Sequence, residues 1–278
     1  MNRKHFFQKI LFYVILVLSI FSCSKKKETP NDSKYNAQQV AKFYQLANKY
    51  YDTNKFDSAF YYGNKIRLHI NPELDLKKYA TTMFIIITSQ QMRGDYSGAE
   101  NSIVETISAI ENLNNQKYIY KFYSMLANNY AFLKDYENAI NYHKKASKYK
   151  TNKKYRVLNK LNIGHIYKEK KQYQKSIEIL LPLLNEKELQ KNKYYKSGVL
   201  NDLGYCYFKL GNPNAINYLN KSLELNSNLD TTADNDYDLT ANYYNLHEYY
   251  LERDKKKLFI MPNYYIKKRQ NIKILMTV

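Results

Sequence analysis

The chain lacks the residues on which several classes of protein depend. Its 278 residues include no Trp, two Cys, seven Gly and five Pro. The glycines are dispersed, which excludes a glycine-rich phosphate-binding loop, and no Cys or His pair has the spacing of metal ligands. Few Gly and Pro, together with many Tyr, Lys, Asn and Leu, favour a helical protein with a substantial core.

Recognisable sets of catalytic groups are also missing. Carboxylates occur in pairs, as in any polar helical protein, but none sits in a catalytic frame. The histidines beyond the N-terminal segment are isolated from one another. His143 falls at a core position of a predicted helix, where a partly buried His with a satisfied hydrogen bond is expected. We therefore predict a protein that is not an enzyme and that binds no metal and no cofactor.

Positive charge exceeds negative charge. Lys and Arg number 44 and Asp and Glu number 25, which gives a formal net charge of +19. Such an excess can indicate a nucleic-acid partner or an anionic membrane surface. Here Lys, Asn, Tyr and Ile are abundant together, as a coding bias toward these residues would produce. The Lys residues are also scattered over the predicted helix surfaces, so we expect no nucleic-acid partner.

The N-terminus has a short basic head followed by an apolar run over residues 10–21, interrupted only by Ser19. Such a run is too short for a membrane-spanning helix, which needs about 20 residues, but it matches the apolar part of a secretory signal. With Ile20 and Ser22 before Cys23, the stretch resembles a bacterial lipoprotein signal. The resemblance implies that residues 1–22 are removed and Cys23 is acylated. The alternatives are an uncleaved anchor or an ordinary signal with a chance Cys.

A polar segment without periodicity follows over residues 23–36, and we expect it to form a flexible tether behind the lipid. By the same resemblance, Ser24 directly after Cys23 implies sorting to the outer membrane, with the protein facing the periplasm. The second cysteine, Cys206, lies inside a helical pattern and is expected to be a small buried packing residue.

A pattern of two amphipathic helices joined by a tight turn recurs over residues 37–257. In its best-preserved copy, residues 125–146, apolar residues recur three and four apart, stop at the turn and resume. The small residue of each second helix follows the previous one after 40, 40, 37 and 39 residues, and the fifth copy is one residue shorter in its turn. These small residues are Ala59, Ala99, Ala139, Ser176 and Ala215.

The marked positions resemble the tetratricopeptide repeat (TPR), whose signature includes Leu-Gly and then Tyr in the first helix and Ala in the second. Leu203, Gly204 and Tyr207 match it in the fifth copy. The resemblance implies an all-α fold, a right-handed α-solenoid of about five to six TPR-like helical hairpins; a generic helical bundle is the alternative. Residues 258–278 break the pattern at Pro262, and we expect an irregular tail there.

By resemblance to TPR proteins, the first helices line a concave face that binds a protein or a peptide. The positions carried over as partner-binding are Tyr44, Asn48, Tyr51, Phe84, Asn128, Phe132, His165, Asn201, Tyr205 and Phe208. A clamp for a C-terminal carboxylate is not expected, because Ser124, Gly198 and Asp202 stand where its cations would be needed.

The sequence thus predicts a lipid-anchored envelope protein that serves as a protein- or peptide-binding scaffold without catalysis. The alternative is the sensory, peptide-binding region of a regulatory protein whose C-terminus is altered or truncated.

Overall fold

The computed structural model describes residues 36–149, 152–227 and 233–253. The α-helices, in chain order, are α1 Ala37–Asp52, α2 Phe56–Ile66, α3 Leu76–Met92, α4 Tyr96–Ile110, α5 Gln116–Phe132, α6 Tyr136–Ser147, α7 Lys153–Glu169, α8 Tyr173–Leu180, α9 Lys187–Gln190, α10 Lys193–Lys209, α11 Ala215–Ser227 and α12 Ala233–Arg253. No strand occurs within these ranges, so the all-α prediction is confirmed. The predicted signal segment, Cys23 and the tail 258–278 lie outside the described residues.

Neighbouring helices pair into five hairpins: α1 with α2, α3 with α4, α5 with α6, α7 with α8, and α10 with α11. In each pair the earlier helix is called the first helix and the later one the second helix. The short helix α9 connects the fourth hairpin to the fifth, and α12 packs against the fifth hairpin in the place of a sixth first helix.

Every hairpin turns in the same way. The N–H that follows the turn residue donates to the carbonyl five residues earlier over 2.8–2.9 Å, which is the Schellman closure of a helix end. The turn residues all have positive φ, between 57° and 77°, and are Asn54, Gly94, Lys134, Lys171 and Gly211. Glycine adopts this conformation freely, whereas a residue with a Cβ costs about 1–2 kcal/mol there. Packing between the two helices of each hairpin therefore holds Lys134 and Lys171 in a left-handed backbone conformation that is unfavourable for lysine.

The first helices also begin alike, since an Asn or Asp side chain accepts the backbone N–H three residues ahead. These caps are Asn36, Asp75, Asn115, Asn152 and Asn192. Each satisfies one of the N–H groups that a helix start leaves unpaired, which is worth about 1 kcal/mol. The repeat is therefore evident from the helix caps and the turns as well as from the apolar positions.

The predicted small residues of the second helices are all completely buried. In four hairpins the second helix begins three residues before its small residue, whereas α11 begins at Ala215 itself, after a turn that contains Pro213. The shorter fifth copy therefore lacks the first turn of its second helix. Small first-helix residues have the same function: a Cβ built on Gly204 would lie 2.7 Å from Cγ of Leu219.

A buried polar network attaches α12 to the fifth hairpin. Asn242 of α12 donates to Ser222 over 2.6 Å, and Asn226 donates to Asn242 over 3.1 Å. Ser222 in turn donates to the carbonyl of Ser197 over 2.6 Å. Because buried polar groups are costly without partners, this network fixes the position of α12 on α10 and α11.

His143, on α6, is completely buried, as its core position predicted. Asn159 donates through its amide nitrogen to the carbonyl of His143 over 2.8 Å, so its Oδ1 accepts from Nδ1 of the ring over 2.7 Å. Nδ1 therefore carries a proton, and Nε2 has no hydrogen-bond partner among the described residues. Burial lowers the pKa of His143 to about 4.

This lowered pKa makes stability depend on pH. The unfolded chain binds a proton near pH 6.5 and the folded chain only near pH 4, so acidification through this window favours unfolding. At 1.36 kcal/mol per pKa unit, His143 should remove roughly 3 kcal/mol between pH 7 and pH 4. Urea titrations at both pH values measure it against His143→Gln, which cannot titrate. Equal acid losses in the two proteins would contradict the prediction.

Candidate binding face

The first helices lie side by side, and side chains of consecutive first helices touch along the whole row. We call this surface the first-helix face. Its contacts, from α1 to α12, are Tyr51 with Phe84 (ring centroids 5.6 Å apart), Gln91 with Asn129 (3.2 Å), Asn128 with Asn162 (3.4 Å), His165 with Asp202 (2.9 Å) and Asn201 with Asn245 (3.0 Å). The sequence therefore brings residues of all the repeats onto one continuous surface.

Aromatic rings dominate the N-terminal half of the face. Phe132 is 59% exposed and stacks on Tyr96, with the ring centroids 5.4 Å apart. Tyr51 makes edge contacts with Phe84 and with Phe56. An exposed ring that is already held by another ring loses little freedom on binding, which suits it as an anchor for an apolar side chain.

Lysines lie on these rings. Nζ of Lys78, on α3, is 5.3 Å from the ring centroid of Tyr44, on α1. Nζ of Lys121, on α5, is 3.5 Å from the ring centroid of Phe84, on α3. Burial is the larger cause, and the positive charge of Lys117 the smaller one, of the lowered pKa of Lys121, which is about 8. Lys121 is thus a partly desolvated cation beside another cation.

A charged cluster occupies the C-terminal half of the face. Asp202 accepts from Lys168 over 2.6 Å and contacts Nδ1 of His165 at 2.9 Å, and only 12% of the Lys168 side chain and 9% of the Asp202 side chain are exposed. Burial would raise the pKa of the Asp202 carboxyl, but Lys168 and His165 together hold it well below its usual range. Burial would likewise lower the pKa of Lys168, but the Asp202 and Glu169 carboxylates raise it. Both groups of the pair are therefore charged at neutral pH.

Eight of the ten residues predicted to bind a partner are at least partly exposed on the first-helix face. Asn201 and Phe208 are not exposed: the structure places both of them in the buried interior. The reason is α12, since Asn245 bonds to Asn201 and Tyr249 packs against Phe208 with the ring centroids 5.5 Å apart. The side-chain amide of Asn48 already donates one hydrogen bond, to the carbonyl of Tyr44 over 2.7 Å, so only part of its hydrogen-bonding capacity is available to a partner.

The sequence reading also missed how charge is distributed. The first helices α1, α3, α5, α7 and α10 contain fourteen Lys or Arg and three Asp or Glu, whereas the second helices contain five and six. The sequence led us to expect lysines scattered over all helix surfaces, but they are concentrated in the first helices. The third hairpin is the exception, since α5 and α6 contain two lysines each. The signal was available once each helix had been assigned as first or second.

The sequence reading gave no positive role to Lys121 or Asp202. Lys121 is preceded by Lys117 four residues earlier, and Asp202 is one of only two acidic residues in α7 and α10.

Within the described ranges, no group of His, Cys, Asp and Glu is arranged to hold a metal ion. In the same ranges, every helix is too short or too polar to cross a membrane. Cys206 is buried, and burial raises the pKa of its thiol to about 11.

The amino-acid sequence also matches a known family model in three stretches. The family model of the tetratricopeptide repeat matches residues 120–153, 160–181 and 197–229. These stretches fall on the third, fourth and fifth hairpins. The comparison with curated proteins found no match.

Solved structures resemble the whole fold. The apo form of the quorum sensor NprR from B. thuringiensis has a TM-score of 0.63 at 14% identity, over 89% of this chain and 67% of that chain. The apo form of RapI has a TM-score of 0.62 at 14% identity, over 97% and 95%. BtubC from P. vanneervenii has a TM-score of 0.60 at 16% identity, over 86% and 93%. At these identities the likeness establishes the fold, and the predicted solenoid of TPR-like hairpins is confirmed.

Proposed function

We propose that this solenoid of tetratricopeptide repeats is a lipid-anchored protein of the cell envelope that holds another protein or a peptide on its first-helix face, without catalysing a reaction. The exposed aromatic lining of the N-terminal half of that face carries the proposal. Surfaces of this kind, with rigid rings beside amides, are typical of peptide recognition.

The amides on the face have hydrogen-bonding capacity to spare. Gln91 donates once, to Asn129, and Asn128 accepts from Asn162 over a long 3.4 Å. Each side-chain amide has two donors and two acceptor lone pairs, so both can also pair with a backbone N–H or C=O. A row of amides one repeat apart suits an extended chain, because its backbone groups recur at regular intervals.

The second candidate is a sensory region that binds a signalling peptide and belongs to a regulatory protein. It is supported by the fold shared with NprR, which is a quorum sensor. The two candidates differ in the ligand and the outcome: a scaffold holds its partner stably in the envelope, whereas a sensor binds a small diffusible peptide.

Crosslinking in intact cells, followed by mass spectrometry, tests the proposal. A double variant with Tyr51→Ala and Phe132→Ala should lose the captured partner, because the rings supply the apolar anchors. The matched control is Tyr61→Ala with Leu68→Ala, which removes exposed apolar side chains from the second-helix side. The proposal fails if the first variant captures the same partners in the same amounts as the wild type. It also fails if the control variant loses them equally.

The lipid anchor is tested separately. Cys23→Ala should abolish labelling by a fatty-acid analogue and release the protein from the membrane fraction, because the thiol that would carry the acyl chains is removed. Cys206→Ser is the control, since this buried cysteine is proposed only to pack. Continued labelling of the Cys23→Ala protein would refute the anchor.

A further inference from the structure

We propose that the partner presents a run of acidic side chains to the N-terminal half of the first-helix face, formed by α1, α3 and α5. This inference rests on the proposed function and adds the chemical class of the partner. It starts from the composition of two helices: α3 and α5 together contain four Lys and not one Asp or Glu.

The lysines belong to the same surface as the rings. Lys78 and Lys121 each lie over a ring of the preceding first helix, so a ligand that contacts the rings also meets their charges. Among the described residues, no carboxylate lies within 4.0 Å of the amino groups of Lys78, Lys117 or Lys121. These three amino groups therefore have no ion-pair partner within the described part of the chain.

Lys121 shows that this arrangement has a cost in the free protein. It is partly desolvated and lies near a like charge, and both effects disfavour its charged form. A carboxylate placed beside it would offset both effects, since an opposite charge within about 4–6 Å stabilises the ammonium. The face thus gains more from an acidic ligand than from a neutral one.

The C-terminal half shows the compensation that the N-terminal half lacks. There Asp202 neutralises Lys168, and α12, whose described side chains include Glu248, Glu252 and Arg253, packs against α10. Glu252 of α12 lies 3.8 Å from Lys209 of α10. At this end of the positive row, Lys168 and Lys209 thus each have a carboxylate partner within the chain itself.

The two segments that flank the described residues do not have the charge to cover the N-terminal half. Residues 1–36 contain seven Lys or Arg and two Asp or Glu, and residues 254–278 contain seven and one. Both segments would be repelled by the face, which favours an acidic segment supplied by another chain.

A protein partner fits this face better than a nucleic acid. Single-stranded nucleic acids bind through bases stacked on open aromatic faces. Here Lys78 covers a face of Tyr44, and Lys121 covers a face of Phe84. Phe84 is also in edge contact with Tyr51. Carboxylates need no ring face and can reach the amino groups directly.

Fluorescence anisotropy on the full chain tests the proposal with two labelled synthetic peptides. In one, Glu alternates with Leu and Phe; in the other, Gln replaces every Glu. The acidic peptide should bind about tenfold more tightly, and its affinity should fall as salt is added. Lys78→Gln with Lys121→Gln should remove most of that preference. The matched control is Lys144→Gln with Lys221→Gln, on exposed sites of second helices, which should leave it unchanged.

Equal binding of the two peptides, or no binding of either, would overturn the proposal. So would an equal loss in the control variant. Tighter, lysine-dependent binding of an oligothymidylate or of phosphatidylglycerol vesicles would overturn it in favour of those partners. If a partner crosslinked in cells depends on Tyr51 and Phe132 but not on Lys78 and Lys121, only this inference fails. If it depends on neither pair, the proposed function fails as well.

Discussion

Replacing Gly204 by Leu should lower the free energy of unfolding by about 3 kcal/mol, the upper part of the range typical of overpacked cores. Gly204 lies where α10 crosses α11. A Cβ on Gly204 would lie 2.7 Å from Cγ and 3.0 Å from the backbone nitrogen of Leu219, which is completely buried. The backbone atom cannot move aside as a flexible side chain can, so the larger residue must push the two helices apart.

Gly198→Leu on the same helix is the matched control. A Cβ there would meet nothing within 4 Å, so the substitution should stabilise the protein through helix propensity, by about 0.5–1 kcal/mol. Urea denaturation followed by circular dichroism measures both variants. Similar changes at the two positions would contradict the packing described for the hairpin.

Asp202→Asn should lower the free energy of unfolding by roughly 3 kcal/mol, because it leaves the amino group of Lys168 largely buried and short of negative charge. Glu169, 3.1 Å from Lys168, remains but is much more exposed, so it compensates only partly. The sign with pH follows from the lowered pKa of Asp202: its contribution is complete above the ordinary pKa of Asp and is lost as the pH falls below it. The difference between wild type and variant should therefore shrink at acidic pH.

Asp57→Asn is the control for the loss of an ion-pairing carboxylate. Asp57 pairs with Arg93 at 2.8 Å, but its side chain is 86% exposed, so removing its charge should change stability by less than about 1 kcal/mol. Thermal and urea denaturation at neutral pH compare the two variants. A loss as large for Asp57→Asn as for Asp202→Asn would contradict the buried character of the second pair.

The repeat could be predicted from the sequence because its determinants are local. The spacing of Ala99 and Ala139, and the turn between two amphipathic helices, are visible within one copy and return in the next. The same local reading placed His143 in the core correctly. The shorter turn before Ala215 could also be recognised in the sequence. Only the structure shows its effect, which is that α11 begins at Ala215 itself.

Contacts between repeats could not be predicted in this way. Phe208 and Asn201 occupy positions equivalent to exposed residues of earlier repeats, and only the docking of α12 buries them. Lys168 and Asp202 are 34 residues apart and meet only because consecutive first helices stack in register. Charge concentration was hidden too, because the lysines of first helices alternate along the chain with the acids of second helices.

The most direct test of the proposed function uses a photo-crosslinking amino acid incorporated in intact cells. It is placed at Phe132, on the first-helix face, or at Tyr61, which is 54% exposed on a second helix. We expect a specific protein or peptide adduct from position 132 and none from position 61. An adduct formed only from position 61, or equally from both, would contradict binding on the first-helix face.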